Sequence, residues 1–130
     1  MISDKYIKEY TASTIDTLVS FCHNAAKSAG WWTDIETGEP KKADVPEKLC
    51  LIHSEISEAL EGYRSGIKDK HLPHLDNFDV ELGDAVIRIF DLAGAMGIPL
   101  GEVIAEKMEY NRTREDHKPE NRRKEGGKKF

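Results

Sequence analysis

Two pairs of acidic residues at helical spacing constrain this chain more than any other feature. Glu55 and Glu58 form the first pair, Glu81 and Asp84 the second, and 22 residues separate the two motifs. Residues three apart lie on one face of a helix, so each pair presents two neighbouring carboxylates. Both pairs lie in apolar runs, which indicates largely buried helices with few basic partners. Four converging carboxylates repel one another unless a cation neutralises them, and such hard oxygen ligands predict a Mg²⁺ site, with Mn²⁺ as a substitute.

The spacing of the apolar residues predicts an all-α chain. No segment alternates between apolar and polar residues with the period of a strand. We expect four helices, at about residues 14–29, 46–65, 78–96 and 99–114. Glycine follows each of the first three helices, at positions 30, 66 and 97, and is expected to end them.

A length of 130 residues indicates a single folded domain. We expect this domain to span residues 1–117, followed by a basic C-terminal tail at residues 118–130 with six basic residues against two acidic ones. No apolar run reaches the roughly 18 residues of a membrane span. The N-terminus has no signal-peptide pattern, and the two cysteines form no Cys-x-x-Cys motif. A cytoplasmic protein without a membrane partner is therefore expected.

A second polar motif lies on the fourth predicted helix. Lys107, Asn111 and Arg114 follow one another at i, i+4 and i+7, which places them in one stripe on a single helix face. Two cations and an amide donor in line can bind a polyphosphate, because arginine offers forked donors and lysine a point charge. The stripe predicts a phosphate-binding surface.

Together, the two acidic pairs and this stripe resemble the MazG-type all-α nucleoside triphosphate pyrophosphohydrolases, over roughly residues 15–115. The resemblance implies a four-helix protomer that dimerises into a larger helical bundle and often pairs again into a tetramer. It also implies Mg²⁺-dependent hydrolysis of a (deoxy)nucleoside triphosphate to the monophosphate and pyrophosphate. By this resemblance the four carboxylates hold the metal ions and the stripe contacts the substrate phosphates.

The resemblance also suggests residues for catalysis and for base recognition. One carboxylate of the cluster, with Glu58 as the candidate, would accept the proton of the attacking water. Related dCTP-directed enzymes use a histidine and an aromatic residue, and His23 and Trp32 stand in comparable positions, with Trp31 an equal candidate. An indole can stack on a nucleobase, although either tryptophan could instead fill a gap between helices.

Oligomerisation follows from the apolar faces of the second and third helices, which are wider than a four-helix protomer easily covers. We expect a homodimer with two-fold symmetry or a homotetramer.

Three other interpretations compete with this one. Residues 91–105 have a helix-turn-helix pattern, but its second helix carries Glu102, Glu106 and Glu109, which disfavour a nucleic-acid partner. A nucleotide- or metal-binding module without turnover is the second alternative. A ferritin-like di-metal protein would need Glu-x-x-His pairs, and Glu58 and Asp84 occupy the positions where histidine is required.

Overall fold

The computed structural model describes all 130 residues and confirms an all-α chain without strands. It contains four long helices, α1 (Asp4–Ser28), α2 (Val45–Ser65), α3 (Asn77–Met96) and α4 (Leu100–Thr113). A 3₁₀ turn at Glu115–His117 and a fifth, short helix α5 (Pro119–Arg122) follow. None of these helices combines the length and the apolar character that crossing a membrane requires.

The chain forms two compact units. One consists of Leu18–Ile98, and the other consists of Met1–Thr17 together with Pro99–Phe130. Helix α1 contributes residues to both units. The Leu18–Ile98 unit contains both acidic pairs, and the other unit contains the Lys107, Asn111 and Arg114 stripe.

Helix α1 is longer than its apolar spacing predicts. A start near residue 14 is wrong, because the helix begins at Asp4. Ser3 Oγ accepts a hydrogen bond from the Tyr6 amide at 3.2 Å, which satisfies one of the free donors of the first turn. The rings of Tyr6 and Tyr10 stack one turn apart, with centroids at 5.8 Å. These local contacts stabilise a first segment whose residues are mostly exposed, so hydrophobic periodicity does not reveal it.

The ends of α2 and α3 agree with the sequence to within one residue. Asp44 caps α2 by accepting a hydrogen bond from the Glu47 amide at 3.1 Å, and Pro46 occupies the first turn. Gly66 and Gly97 end the two helices with φ of 63° and 65°. That left-handed conformation is strained for residues with a side chain, so glycine is required at both positions.

Helices α2 and α3 form an antiparallel hairpin that packs on small residues. Ala59 and Ala85 are each only 2% exposed. A side chain at Gly62 would collide with Asn77, so the end of α2 and the start of α3 approach more closely than any larger residue allows. This hairpin sets the register that brings Glu55 of α2 beside the acidic pair of α3.

The large apolar residues beside the acidic pairs are not buried in the single chain. The expectation that both helices are largely buried is wrong for Ile56, Leu82 and Val86, which are 51%, 41% and 44% exposed. The physical reason is that the most buried positions between α2 and α3 are small residues such as Ala59 and Ala85, so the large apolar side chains lie to the sides of this contact. A wide apolar face on these two helices therefore stays uncovered.

The connector between α2 and α3 is ordered by one buried carboxylate. Asp69 is 8% exposed and accepts hydrogen bonds from the amides of His71 at 2.9 Å and Leu72 at 2.8 Å. These bonds hold the pKa of Asp69 below its ordinary value. The connector is also joined to the start of α3, because the Asn77 amide donates to the Ile67 carbonyl at 3.0 Å.

In the unit formed by Met1–Thr17 and Pro99–Phe130, the start of α4 packs on α1. The Gly101 amide donates to Asp16 Oδ1 at 2.9 Å, and a side chain at Gly101 would collide with the Ala12 carbonyl. Arg112 and Asp4 form an exposed ion pair at 2.9 Å. Beyond α4, residues 118–130 contain α5 and then fold back towards it. Arg122 Nε donates a hydrogen bond to the Lys128 carbonyl at 3.1 Å.

Candidate metal centre

The hairpin brings three of the four predicted ligands together. One carboxylate oxygen from each of Glu55, Glu81 and Asp84 lies within 4.8 Å of the other two. Glu55 is buried, at 7% exposure, whereas Glu81 and Asp84 are partly accessible. The sequence spacing places Glu81 and Asp84 on one face of α3, and the antiparallel register places Glu55 opposite them.

This donor set fits a hard divalent ion. Opposite oxygens around octahedral Mg²⁺ lie about 4.2 Å apart, which is twice the metal–oxygen distance. The three oxygens lie within 4.8 Å of one another, which is near enough for one ion to contact all three after some contraction. Carboxylates without sulfur or imidazole partners select Mg²⁺ or Mn²⁺ over softer metals.

Glu58, the fourth predicted ligand and candidate base, is exposed and is not one of the three converging residues. Its carboxyl group nevertheless interacts with that of Glu55 one turn earlier. This hydrogen-bonding interaction, followed by partial burial, raises the pKa of Glu58 above its ordinary value of 4.5. Glu58 therefore belongs to the same electrostatic cluster and binds a proton more readily than an isolated glutamate.

The two carboxylates of α3, Glu81 and Asp84, both have pKa values above their ordinary ones. Burial, and then the interaction with Glu55, raises the pKa of Glu81 and of Asp84. Both effects disfavour the charged form. A divalent ion at this position would remove the repulsion that raises these pKa values.

Arg88 is the basic partner that the sequence pattern does not predict. Its Nε donates to Glu55 Oε1 at 2.6 Å. Burial raises the pKa of Glu55, but the hydrogen bond from Arg88 and those shared with Glu81 and Glu58 outweigh it, so that this pKa lies below its ordinary value. A usable signal was present, because Arg88 follows Asp84 by four residues and so lies on the same face of α3.

A cavity of about 850 Å³ adjoins the cluster and is lined by Glu55, Asp84 and Arg88. This volume falls in the range of small-molecule sites. Apolar and aromatic side chains from α1, α2, α3 and the following loops form much of the remaining wall, among them Phe21, Cys22, Ala26, Trp31, Leu51 and Ile87. The cavity therefore combines an apolar wall with charged groups of both signs.

The structure places the three predicted base-recognition residues in two different environments. Asp91 Oδ1 accepts hydrogen bonds from Trp32 Nε1 and from His23 Nδ1, both at 2.8 Å. The rings of His23 and Trp32 meet edge to face with centroids at 5.6 Å, and Lys48 Nζ lies 4.8 Å from the centre of the Trp32 ring. Trp32 thus uses its indole N–H within the protein and ties the loop after α1 to α3.

Trp31 has a different environment from its neighbour. It is 69% exposed and lines the cavity, and it has no side-chain hydrogen bond. Of the two tryptophans, Trp31 is the one with a free indole surface on the cavity. This placement favours Trp31 for stacking and Trp32 for holding the loop.

The predicted phosphate stripe belongs to the other compact unit and differs from a simple helix face. Lys107 Nζ lies 4.7 Å from the centre of the Tyr110 ring. Arg114 lies just past the end of α4 in extended backbone and forms a two-point ion pair with Asp116, at 2.9 and 2.6 Å. Asn111 Oδ1 is buried without a hydrogen-bond partner. A common phosphate-binding role for these residues stays a prediction.

Comparison of the chain with protein-family models, with curated proteins and with solved structures gives no match.

Proposed function

We propose that this protein is a Mg²⁺-dependent hydrolase of a (deoxy)nucleoside triphosphate, of the MazG type, which releases the monophosphate and pyrophosphate. The observation that supports the proposal is the convergence of Glu55, Glu81 and Asp84 beside a cavity with an aromatic wall. A metal centre and a ring-binding cavity side by side match the two parts of a metal–nucleotide complex.

Each part of the site has a distinct task in this proposal. When bound, Mg²⁺ supplies neutralisation of phosphate charge and activation of a water molecule. Glu55, Glu81 and Asp84 would hold the ion. Glu58 would accept the proton of the attacking water, because the neighbouring Glu55 raises its pKa and so makes it a better proton acceptor than an isolated glutamate. Trp31 stacks on the base. The resemblance to MazG-type enzymes directs cleavage to the bond between the α- and β-phosphates.

The proposed activity is tested by the products as well as by the rate. We expect Mg²⁺-dependent release of pyrophosphate from one or more members of a panel of canonical and modified triphosphates. Identifying the nucleotide product separates cleavage after the α-phosphate, which gives a monophosphate, from cleavage after the β-phosphate, which gives a diphosphate. No hydrolysis across the panel, combined with tight nucleotide binding, would support the module without turnover instead.

Two variants connect the activity with the cluster. Glu55→Gln and Asp84→Asn each preserve shape but remove a negative ligand, and they should abolish nearly all activity while the helical circular-dichroism signal persists. Glu61→Gln is the matched control, because Glu61 is a highly exposed residue of the same helix, with 68% of its side chain accessible. Equal activity in Glu61→Gln, Asp84→Asn and the wild type would disprove the role of the cluster.

We further propose that the protein functions as a homodimer or homotetramer. The support is the uncovered apolar face of α2 and α3, where Leu60 and Tyr63 are 60% and 71% exposed beside Ile56. Large contiguous apolar surfaces on a folded chain mark association sites. A second copy of the same face would cover them with two-fold symmetry.

A further inference from the structure

Arg88 connects the acidic cluster to the cavity. It donates from Nε to the buried Glu55, yet 41% of its own side chain remains exposed and it lines the cavity. By contrast, only 9% of the Glu55 side chain is accessible. The pair therefore joins a buried anion to a cation that is open to the cavity.

Most of the hydrogen-bonding capacity of Arg88 is unused. A guanidinium group carries five N–H donors, and its terminal nitrogens present the fork that matches carboxylate and phosphate oxygens. The Arg88 hydrogen bond to Glu55 comes from Nε alone, and neither terminal nitrogen has an acceptor in the protein. Arg114 shows the alternative, since it uses both Nε and a terminal nitrogen to bind Asp116. The free edge of Arg88 is thus available to an anion in the cavity.

A divalent ion bound at the cluster would change how strongly Arg88 is attracted to Glu55. An ion held by Glu55 would place two positive charges near the guanidinium and would weaken its attraction to that carboxylate. Phosphate groups bound to such an ion would lie near Asp84 and Arg88, which both line the cavity. A phosphate group can accept two parallel hydrogen bonds from a guanidinium, whereas Glu55 accepts only one from Arg88, through Nε.

We propose that Arg88 is a phosphate-binding residue of the substrate site, which pairs with Glu55 in the metal-free protein and turns to a phosphate group of the metal–triphosphate complex. This inference rests on the proposed function and deepens it by adding a phosphate contact from α3 itself. It assigns Arg88 opposite effects on two ligands. Arg88 competes with the ion for Glu55, and it cooperates with the ion in binding phosphate.

The test uses the full chain and two base-independent ligands, Mn²⁺ alone and inorganic triphosphate with Mg²⁺, measured by isothermal titration calorimetry. Arg88→Met removes the charge at similar length, and we expect it to bind Mn²⁺ more tightly than the wild type. The same variant should bind magnesium triphosphate at least about tenfold more weakly, as expected for the loss of a charge-assisted hydrogen bond. Arg64→Met is the matched control, because Arg64 forms an exposed pair with Glu61 at 3.6 Å and does not line the cavity.

A second variant covers the possibility that Arg88→Met fails to fold. Arg88→Lys keeps the positive charge but loses the fork, so it should keep wild-type affinity for Mn²⁺ and lose part of the affinity for magnesium triphosphate. Weaker Mn²⁺ binding in Arg88→Met, or triphosphate affinities equal to that of Arg64→Met in both variants, would overturn the inference and leave Arg88 as a structural partner of Glu55. Wild-type triphosphate binding without pyrophosphate release from nucleotides would instead contradict the proposed function alone.

Discussion

Asn77 Nδ2 donates a hydrogen bond to Glu81 Oε1 at 3.0 Å. Asn77 lies one helical turn before Glu81, the first of the two acidic residues that α3 contributes to the carboxylate cluster. The same amide nitrogen lies 3.4 Å from Oδ1 of Asp69, the buried carboxylate that orders the connector. Gly62 leaves just enough room for the Asn77 side chain beside α2. The connector thus orients Glu81 through Asn77, in the manner of the outer-shell partners that orient metal ligands.

The first prediction concerns this orientation. Asn77→Ala should weaken Mn²⁺ binding by at least about tenfold, because outer-shell partners typically contribute that much to metal affinity. Calorimetric titration of the metal alone measures the effect without reference to activity. Asn24→Ala is the control, since Asn24 is exposed on α1 and has no side-chain hydrogen bond. Unchanged Mn²⁺ affinity in Asn77→Ala would show that Glu81 needs no such support.

The second prediction concerns stability without metal. The raised pKa of Asp84 shows that the folded protein disfavours its negative charge, first through burial and then through Glu55. Asp84→Asn should therefore stabilise the metal-free protein by about 0.5 kcal/mol, the size of a like-charge repulsion on a helix. With excess Mg²⁺ the wild type should become the more stable of the two proteins, because only the wild type is stabilised by bound ion. Thermal melts of both proteins, with chelator and with Mg²⁺, measure these stabilities. A lower melting temperature for Asp84→Asn than for the wild type in chelator would contradict the prediction.

The third prediction is the pH dependence of metal binding. Glu58, Glu81 and Asp84 have raised pKa values, so in the metal-free protein they take up protons at higher pH than isolated carboxylates do. Metal binding displaces these protons, and Mn²⁺ affinity should fall as the pH falls through these raised pKa values. Calorimetry in buffers of different ionisation enthalpy counts the protons released. Affinity that stays constant as the pH falls would show that the three groups are already ionised.

The same pKa values predict how the metal-free fold responds to pH. Groups with raised pKa hold protons more tightly in the folded state, so the stability that protonation contributes is lost as pH rises through those pKa values. Glu55 has a lowered pKa, and its stabilisation by Arg88 is lost only at more acidic pH, as pH falls through that value. The two effects therefore act in separate windows.

The fold and the cluster differ in how much of them the sequence could predict. Helices α2 and α3 were predictable because Asp44, Gly66 and Gly97 mark their ends by local chemistry. The convergence of Glu55 with the α3 pair depends on the register of the hairpin, which the tight contact at Gly62 sets and no local pattern encodes. The apolar pattern does not predict the start of α1, because a helix that is exposed over its first turns has no apolar stripe facing a core.

Hydrogen-bond partners across the unit were the least predictable part. Asn77 precedes Glu81 by four residues and Arg88 follows Asp84 by four, which puts both on the cluster face of α3, but the acidic motif predicts a contact for neither. What each side chain binds depends on distances to α2 and the connector. Asp91 is a clearer case, because its two donors, His23 and Trp32, come from residues 59 or more positions earlier in the chain.

The fourth prediction separates the two tryptophans. Trp31→Ala should raise KM for the nucleotide by the equivalent of about 1–3 kcal/mol, the usual loss when a stacked base loses its aromatic partner. Its melting temperature should change little, because Trp31 is exposed. Trp32→Phe should instead destabilise the fold by about 1–3 kcal/mol, since Asp91 loses a donor in a partly buried position. Kinetics and thermal melts on both variants measure the contrast. An unchanged KM in Trp31→Ala would show that Trp31 does not stack on the nucleotide.

The fifth prediction concerns the uncovered apolar face. Ile56 and Leu60 lie four residues apart on α2 and are 51% and 60% exposed, so a second copy of this face has a continuous apolar surface to pack on. Sedimentation equilibrium should give a mass of at least twice the 14.7 kDa of one chain. Leu60→Glu should dissociate the oligomer, because a charge buried at such an interface without a partner is strongly unfavourable. Leu72→Glu, in the connector and 45% exposed, is the control and should leave the mass unchanged. A wild-type protein that sediments at 14.7 kDa would show that this face is not a self-association surface.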